Sequence, residues 1–207
     1  PPPQQLQDGP PGKASGISSL TAVFPESYIN GVHVAIGIDI GGTKIAVAAV
    51  DREGTILQRT VLATEAKLGF AAALQRIAGA IEQVLRASGS HLENLHGIGI
   101  GCAGPVNPLR GTIHNPYTLP GWDGCDIVTP LREKFAVPAF LENDADVAAL
   151  GECFVGAGRG CNPVVMLTFG TGIGGSAIVN GDILRGAAGE HPEIGHIPVT
   201  LFFSVMI

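Results

Sequence analysis

Two glycine-rich loops constrain the fold most, because each is followed by a β-branched strand. The first loop is Asp39-Ile40-Gly41-Gly42-Thr43-Lys44, and the second runs from Thr168 to Gly175 as TFGTGIGG. Glycines let backbone amides approach an anion closely, and threonine hydroxyls add donors. Walker A loops and dinucleotide fingerprints lead into helices instead. The pattern excludes those two folds and predicts a pair of phosphate-binding hairpins, with two ordinary hairpins as the alternative.

The remaining pattern predicts the element order βββαβαβα, followed by a new strand, glycine loop and strand that repeat the opening. Apolar β-branched runs indicate buried strands, and apolar residues spaced three and four apart from Phe70 to Val84 indicate an amphipathic helix. The predicted strands are 34–38, 45–50, 55–62, 95–101, 137–141, 164–169 and 176–179. The predicted helices are 70–87, one capped by Asp126 that runs through Phe135, and 145–155.

The chain divides by composition into three parts. Residues 1–31 hold six of the 15 prolines and little apolar sequence, which predicts a flexible leader. Residues 32–157 carry the βββαβαβα order and are expected to form one lobe. Residues 158–207 begin the same pattern again and are expected to be the start of a second lobe, truncated at Ile207. We expect an unpaired sheet edge there, with a tendency to aggregate.

Charge and cysteine content exclude several function classes. The net charge is −6 and the 12 Lys and Arg residues form no cluster, so no nucleic-acid partner is expected. No apolar run reaches the ~18 residues of a membrane span, so no membrane partner is expected. Four cysteines without a CxxC pair indicate neither a zinc knuckle nor a disulfide framework. The prediction is a cytoplasmic protein.

Six sequence blocks together resemble the ROK family of sugar kinases and related repressors. They are DIGGTKIAVAAVD, GIGIGCAGPVNPLRGTI, LPGW, LENDADVAALGE, LTFGTGIGG and GEHPEIGH, in family order from about Val34 to Val199. The resemblance, with two opposed hairpins each opening a similar half, implies an α/β fold of the actin-like ATPase (ribonuclease H-like) type. It would have a complete N-terminal lobe and a partial C-terminal lobe.

The resemblance implies phosphorylation of a sugar hydroxyl by ATP with Mg²⁺. Asp144 matches the family's general base and Asn143 its sugar-binding asparagine, whereas the plainer alternative is that one of them caps the following helix. Asp39 would lie near the magnesium and phosphates, or merely order its own turn. The residues expected to hold phosphates are Gly41, Gly42, Thr43 and Lys44 on one side, and Thr171, Gly172 and Gly174 on the other.

For the sugar, the resemblance points to Gly104, Pro105, Glu193 and His196, and to the stretch 115–122. Many relatives have Asn before LPGW, where this chain has Thr118. Trp122 is expected to be either core or a ligand contact. Glu193 and His196 would otherwise be surface residues near a turn.

Zinc-containing members of the family combine the histidine matching His196 with three cysteines of a CxCGxxGC block. This chain has no such block, so Zn²⁺ is expected only in a longer form.

Three functions compete on this evidence. The first is a sugar kinase, expected to be a homo-oligomer in its full-length form. The second is a catalytically inactive truncated fragment that at most binds sugar or a partner. The third, a ROK-type repressor, requires an N-terminal helix-turn-helix, and the proline content of residues 1–31 argues against it.

Overall fold

A computed structural model describes residues 33–169, 173–187 and 191. The predictions for the leader and for four site residues lie outside these ranges: Thr171, Gly172, Glu193 and His196. The boundaries proposed between leader, first lobe and second lobe stay predictions.

The described residues form eleven strands, three α-helices and two short 3₁₀ turns at Ala66–Leu68 and Leu92–Asn94. The strands are β1 (Val34–Ile40), β2 (Lys44–Val50), β3 (Ile56–Ala63), β4 (Leu95–Cys102), β5 (Val106–Asn107), β6 (Thr112–Ile113), β7 (Cys125–Asp126), β8 (Ala139–Asn143), β9 (Val164–Phe169), β10 (Ile173–Val179) and β11 (Asp182–Ile183). The helices are α1 (Phe70–Ala87), α2 (Val128–Phe135) and α3 (Asp144–Val155).

The main sheet has five strands in the order β3-β2-β1-β4-β8. Strands β1, β2 and β3 form an antiparallel meander, and β4 and β8 add parallel to β1 and to each other. Helix α1 connects β3 at one edge of the sheet to β4, which pairs with β1, and α2 lies in the crossover between the parallel neighbours β4 and β8. The predicted order βββαβαβα is therefore the order of this sheet and its helices.

The hydrophobic core lies between one face of this sheet and helices α1 and α2. Alternate residues of β1 point into it, so Ile36 and Ile38 are buried while Ala35 is exposed. Helix α1 contributes Ile77 and Ile81, both fully buried, from the apolar stripe that its periodicity predicts. Each such side chain stabilises the fold by about 1.5–3 kcal/mol through burial.

The β2–β3 hairpin has the turn that its sequence predicts. The Asp51 carboxylate accepts hydrogen bonds from the backbone amides of Glu53 at 3.0 Å and Thr55 at 2.7 Å. Gly54 has a φ of +85°, a conformation that side chains with a Cβ rarely adopt. The turn aligns the two strands so that Lys44 pairs with Ala63 at the far end.

Three parts of the architecture differ from the sequence expectation. Strand β10 begins at Ile173, inside the predicted glycine loop, and not at Ser176. Strand β8 begins at Ala139 and continues to Asn143, because Pro138 has no amide to donate whereas Asn143 pairs in register with Cys102 of β4. A small sheet of β5, β6 and β7 was not predicted. Two-residue strands show no periodicity in the sequence, so their pairing is visible only in the structure.

Strands β9, β10 and β11 form a separate antiparallel sheet in the order β11-β10-β9. Strand β9 is at its edge among the described residues and alternates in exposure. Val165, Leu167 and Phe169 are 66 %, 50 % and 74 % exposed. An exposed apolar edge strand is a template for intermolecular pairing.

We therefore expect the purified chain to self-associate at high concentration, and Leu167→Lys to reduce this. The lysine adds charge to the exposed face of β9 without touching the core. Light scattering across a concentration series measures the effect. Leu109→Lys is the matched control, because Leu109 is 95 % exposed in a loop away from any edge. A wild-type chain that stays monodisperse and monomeric would contradict the prediction.

Asp126 caps helix α2 as the sequence predicts. Its carboxylate accepts hydrogen bonds from the backbone amides of Val128 and Thr129, both at 2.9 Å. Burial raises the pKa of this carboxyl, but the bonds from Thr129 and Val128 together with the charge of Arg132 outweigh burial and hold the pKa below its ordinary value of 3.8.

We expect Asp126→Ala to cost about 1 kcal/mol of unfolding free energy at pH 7. A lowered folded-state pKa means that the stabilisation is present above pH 3.8 and is lost as the pH falls through the folded-state value. The difference between variant and wild type in urea denaturation should therefore shrink below pH 3.8. Asp123→Ala, an exposed neighbour, should show neither effect.

Candidate active site

The candidate site lies at the carboxyl ends of β1, β4 and β8. Because these strands are parallel, their last residues meet at one edge of the sheet. Ile40 pairs in register with Cys102, and Cys102 pairs with Asn143. One residue earlier in β1, Asp39 pairs with Gly101. Asp39 and Asp144, far apart in sequence, are therefore brought to the same edge.

The turn from β8 into α3 holds two predicted site residues in different roles. Asn143 is buried, and its Oδ1 accepts the amides of Ala145 at 2.9 Å and Asp146 at 3.4 Å, so its carbonyl oxygen caps the helix. Asp144 is exposed at the first position of α3. The Ala145 amide also donates to Asp144 Oδ1 at 2.9 Å, so both residues take part in the cap, while the Asp144 side chain stays exposed to solvent.

A cavity of about 390 Å³ opens beside this turn. Its walls come from the ends of β1 and β4, from the first turns of α3 and from β9. The lining residues are Ile38, Asp39, Gly101, Asp144, Ala145, Val147, Ala148 and Thr168. Two carboxylates of the predicted site, Asp39 and Asp144, therefore share one cavity with the first residue of the second glycine loop, Thr168.

The cavity is electrostatically negative at the two aspartates. Partial burial raises the pKa of Asp39 above its ordinary value, and the charge of Asp144 raises it further, whereas Lys44 and Arg59 act in the opposite direction. Burial, followed by the charges of Asp144 and Asp39, raises the pKa of the Cys102 thiol to about 12. Cys102 is therefore a core residue and no nucleophile at neutral pH.

The first glycine loop is a tight turn between β1 and β2. The Gly41 amide donates to the Lys44 carbonyl at 3.0 Å, and the Thr64 hydroxyl donates to the Gly41 carbonyl at 2.6 Å. Thr64 is fully buried, and its backbone amide donates to the Thr43 carbonyl at 2.9 Å. Sequence reasoning missed Thr64, because it lies 23 residues from the loop that it supports.

Gly42 lies against the segment that precedes LPGW. A Cβ on Gly42 would be 2.9 Å from Cβ of Thr118, so only glycine fits. Thr118 is held by Asn115, whose Nδ2 donates to the Thr118 hydroxyl at 2.7 Å and to the Ala103 carbonyl at 3.0 Å. The buried Asn115 thus links the first loop to the CAGP turn.

The structure describes some of the predicted sugar-binding residues but not Glu193 and His196. Gly104 lies against Asn143, since a Cβ on Gly104 would be 2.7 Å from Asn143 Nδ2. Pro105 is exposed, and its carbonyl accepts the His114 amide at 2.9 Å. Glu193 and His196 lie outside the described residues. The structure therefore brings Gly104 and Asn143 together and leaves the other side of the predicted sugar site undescribed.

Trp122 belongs to the core. It is fully buried, its Nε1 donates to the Ala66 carbonyl at 3.4 Å, and its ring meets Phe70 edge-on at 5.5 Å between centroids. Of the two alternatives that the sequence leaves open, the structure supports packing.

The second glycine loop is described only on its two strands. Thr168 of β9 pairs in register with Gly174 of β10, and a Cβ on Gly174 would be 2.7 Å from the Thr168 hydroxyl oxygen and 3.5 Å from Cβ of Ala145. The β9–β10 hairpin therefore packs against the first turn of α3. Thr168 was not predicted as a site residue, although it is the first residue of the loop.

Asp146 and His191 were given no role by sequence reasoning, yet they contact each other. His191 Nδ1 lies 2.9 Å from Asp146 Oδ2, and Asp146 is fully buried. No group of three or more metal-ligating side chains occurs in the ranges that the structure covers. None of the helices there is long and apolar enough to cross a membrane.

The order of the five-stranded sheet is that of an actin-like ATPase fold, and Asp39 and Thr168, the first residues of the two glycine-rich segments, line the cavity at its edge. The model of the ROK family matches residues 35–204. Glucokinase of Halalkalibacterium halodurans is 36% identical over 164 residues, which are 79% of this chain and 49% of the relative.

Two solved structures agree with the sequence match. A ROK family glucokinase from Streptomyces griseus in complex with glucose and AMPPNP has a TM-score of 0.69 and 36% identity, covering 81% of this chain and 51% of that one. A ROK hexokinase from Thermus thermophilus has a TM-score of 0.71 and 36% identity, covering 81% and 54%. The chain belongs to the ROK family. It spans about half the length of the relatives it matches.

Proposed function

We propose that this chain carries the phosphoryl-transfer site of a sugar kinase, which moves the γ-phosphoryl group of ATP to a hydroxyl of a hexose or amino sugar. The observation that carries the proposal is the cavity shared by Asp39, Asp144 and Thr168. Phosphoryl transfer needs an acceptor for the hydroxyl proton and fixed groups that hold the phosphates. The exposed Asp144 carboxylate can accept the proton, and the two glycine-rich segments, whose first residues Asp39 and Thr168 line the cavity, can hold the phosphates.

Asp144 is the proposed general base. It is exposed at the cavity wall, and its position at the start of α3 is held by the buried cap of Asn143. As the sugar oxygen bonds to phosphorus and the bond to the leaving ADP oxygen breaks, the carboxylate accepts the hydroxyl proton. Asn143, with Gly104 against its amide, is proposed to bind the sugar. Its Nδ2 is the group left for this, because Oδ1 is used in the cap.

The phosphates are proposed to lie between the two hairpins. Gly41, Gly42, Thr43 and Lys44 would hold them from one side, and Thr171, Gly172 and Gly174 from the other. The tight turn at Gly41 and its support by Thr64 favour this role for the first hairpin. The position of Thr168 beside Gly174 and at the cavity favours it for the second.

The aspartates fit a magnesium ion. Carboxylate oxygens are the ligands that Mg²⁺ prefers, and the raised pKa of Asp39 beside Asp144 shows negative charge that a cation would neutralise. Mg²⁺ would be held near Asp39 and would offset charge on the phosphates. Zn²⁺ is proposed only for a longer form in which cysteines join His196.

The relatives indicate which sugar to test first. The Halalkalibacterium relative is named a glucokinase and the Streptomyces structure contains glucose and AMPPNP, so glucose is the first substrate to test. The four cysteines are all free, which fits the reducing conditions of the proposed cytoplasmic location. Homo-oligomer formation in the full-length protein stays a prediction.

A coupled assay for ADP release tests the proposal on the purified chain. The panel should include glucose, fructose, mannose and N-acetylmannosamine, with MgATP present. We expect sugar-dependent turnover that stops when EDTA removes Mg²⁺ and is absent without sugar. Sugar binding by calorimetry without turnover would contradict the kinase proposal for this chain and support the alternative of a sugar-binding fragment.

A further inference from the structure

Among the described residues, the most buried charged side chain outside the proposed catalytic groups is Asp146, on the first turn of α3. Its side chain is fully buried, two residues after Asp144. An isolated carboxylate without compensation is costly to bury, so its partners matter. Within the part of the chain that the structure describes, its side-chain partners are Ser176, Arg185 and His191, beyond the main sheet.

Three groups compensate the Asp146 carboxylate. The Ser176 hydroxyl donates to Oδ1 at 2.5 Å, His191 Nδ1 lies 2.9 Å from Oδ2, and Arg185 Nη1 lies 4.0 Å from Oδ2. Arg185 also forms an ion pair with Glu142 of β8, so it contacts carboxylates on both sides of Asp144 in the sequence. Burial raises the pKa of Asp146, but the bonds from His191 and Ser176 and the two positive charges lower it overall, so the group is ionised at neutral pH.

These partners connect Asp146 to two further parts of the proposed site. Ser176 lies on β10, two residues after Gly174 of the second glycine loop. His191 precedes Glu193, a predicted sugar residue, by two positions. Asp146 itself is in the same helical turn as Asp144. One buried carboxylate therefore joins the general-base turn, the second phosphate hairpin and the segment that leads to the predicted sugar residues.

We propose that Asp146 is a positioning residue: through Ser176, Arg185 and His191 it holds the β9–β10 hairpin and the segment that follows in register with Asp144. The expected effect on catalysis rests on the proposed function. The effect of Asp146 on the position of the hairpin does not. A displacement of about 1 Å between reacting groups can cost about 100-fold in rate, so loss of this connection should be visible in kcat.

The test compares Asp146→Asn and Ser176→Ala with the control Asp182→Asn. The asparagine keeps the shape and an acceptor oxygen but removes the charge facing Arg185 and His191. Ser176→Ala removes a single hydroxyl and is the milder variant if Asp146→Asn folds poorly. Asp182 is an exposed carboxylate of the same small sheet, outside these contacts.

Amide hydrogen exchange by mass spectrometry is the first measurement. We expect exchange of residues 164–179 to accelerate at least about tenfold in Asp146→Asn and less in Ser176→Ala, while residues 34–63 of the meander keep wild-type protection. The double variant should accelerate exchange by less than the product of the two single effects, because both changes weaken the same set of contacts. Equal acceleration in both regions, or none in either, would overturn the proposal.

Steady-state kinetics is the second measurement, on the same proteins. We expect kcat to fall about 100-fold in Asp146→Asn, with a smaller change in KM for ATP, and to be unchanged in Asp182→Asn. A rise in KM for ATP with unchanged kcat would overturn a positioning role. If wild type shows no turnover with any sugar, the proposed function fails, while the exchange result still decides the connection made by Asp146.

Discussion

Replacing Asp144 with Asn is expected to lower kcat for sugar phosphorylation by about 100- to 10,000-fold. The amide has nearly the shape of the carboxylate, but it cannot accept the proton that the sugar hydroxyl releases. Because Asp144 is exposed and Asn143 provides the principal cap of α3, folding stability should change little. The coupled ADP-release assay measures the rate, and urea denaturation checks that the variant is folded.

The matched control for Asp144→Asn is Glu133→Gln, which removes an exposed carboxylate from α2, away from the cavity. It should retain wild-type kcat. Binding of AMPPNP and of the sugar, measured by calorimetry, should survive in Asp144→Asn within a few-fold. A variant with full kcat would refute Asp144 as the general base, and so would a variant whose only defect is unfolding.

Trp122→Ala is expected to lower the free energy of unfolding by about 3–5 kcal/mol. The side chain is fully buried and packs against Phe70, so truncation leaves a cavity and removes the bond from Nε1 to the Ala66 carbonyl. Whole domains have only about 5–15 kcal/mol of stability, so much of the chain should be unfolded at 37 °C. Urea denaturation followed by circular dichroism measures this, since Trp122 is the only tryptophan.

Trp122→Phe is the control, because it keeps an aromatic ring in the core and loses only part of the volume and the indole hydrogen bond. It should cost clearly less than the alanine variant. If Trp122 acted mainly as a ligand contact, the alanine variant would keep its stability and lose sugar affinity. That outcome would contradict the packing role.

Much of the main sheet could be predicted from local patterns. The meander strands, α1 and the Asp126 cap agree with the sequence expectation to within one or two residues, because each depends on periodicity or on residues adjacent in the chain. Sequence patterns could not show β5–β7, whose strands have two residues each. They also could not show Thr64 beneath the Gly41 turn, since that contact joins residues 23 positions apart.

The candidate site, too, was predicted only in part from the sequence. Glycine loops followed by strands predicted two hairpins without any structure, and the resemblance to ROK proteins singled out Asp144. Neither showed that Asp39, Asp144 and Thr168 line one cavity, because their meeting depends on strand order and register. The roles of Glu193 and His196 stay predictions.

The first turn of α3 separates the two contributions most clearly. By itself, the sequence determines that carboxylates stand at positions 144 and 146. It also excludes the Walker A and dinucleotide-binding folds, because each glycine loop is followed by a strand and not by a helix. Only the tertiary structure decides that Asp144 is exposed at the cavity while Asp146 is buried against Ser176 and His191. The physical reason is that a carboxylate's role depends on its solvent exposure and partners, which distant parts of the chain supply.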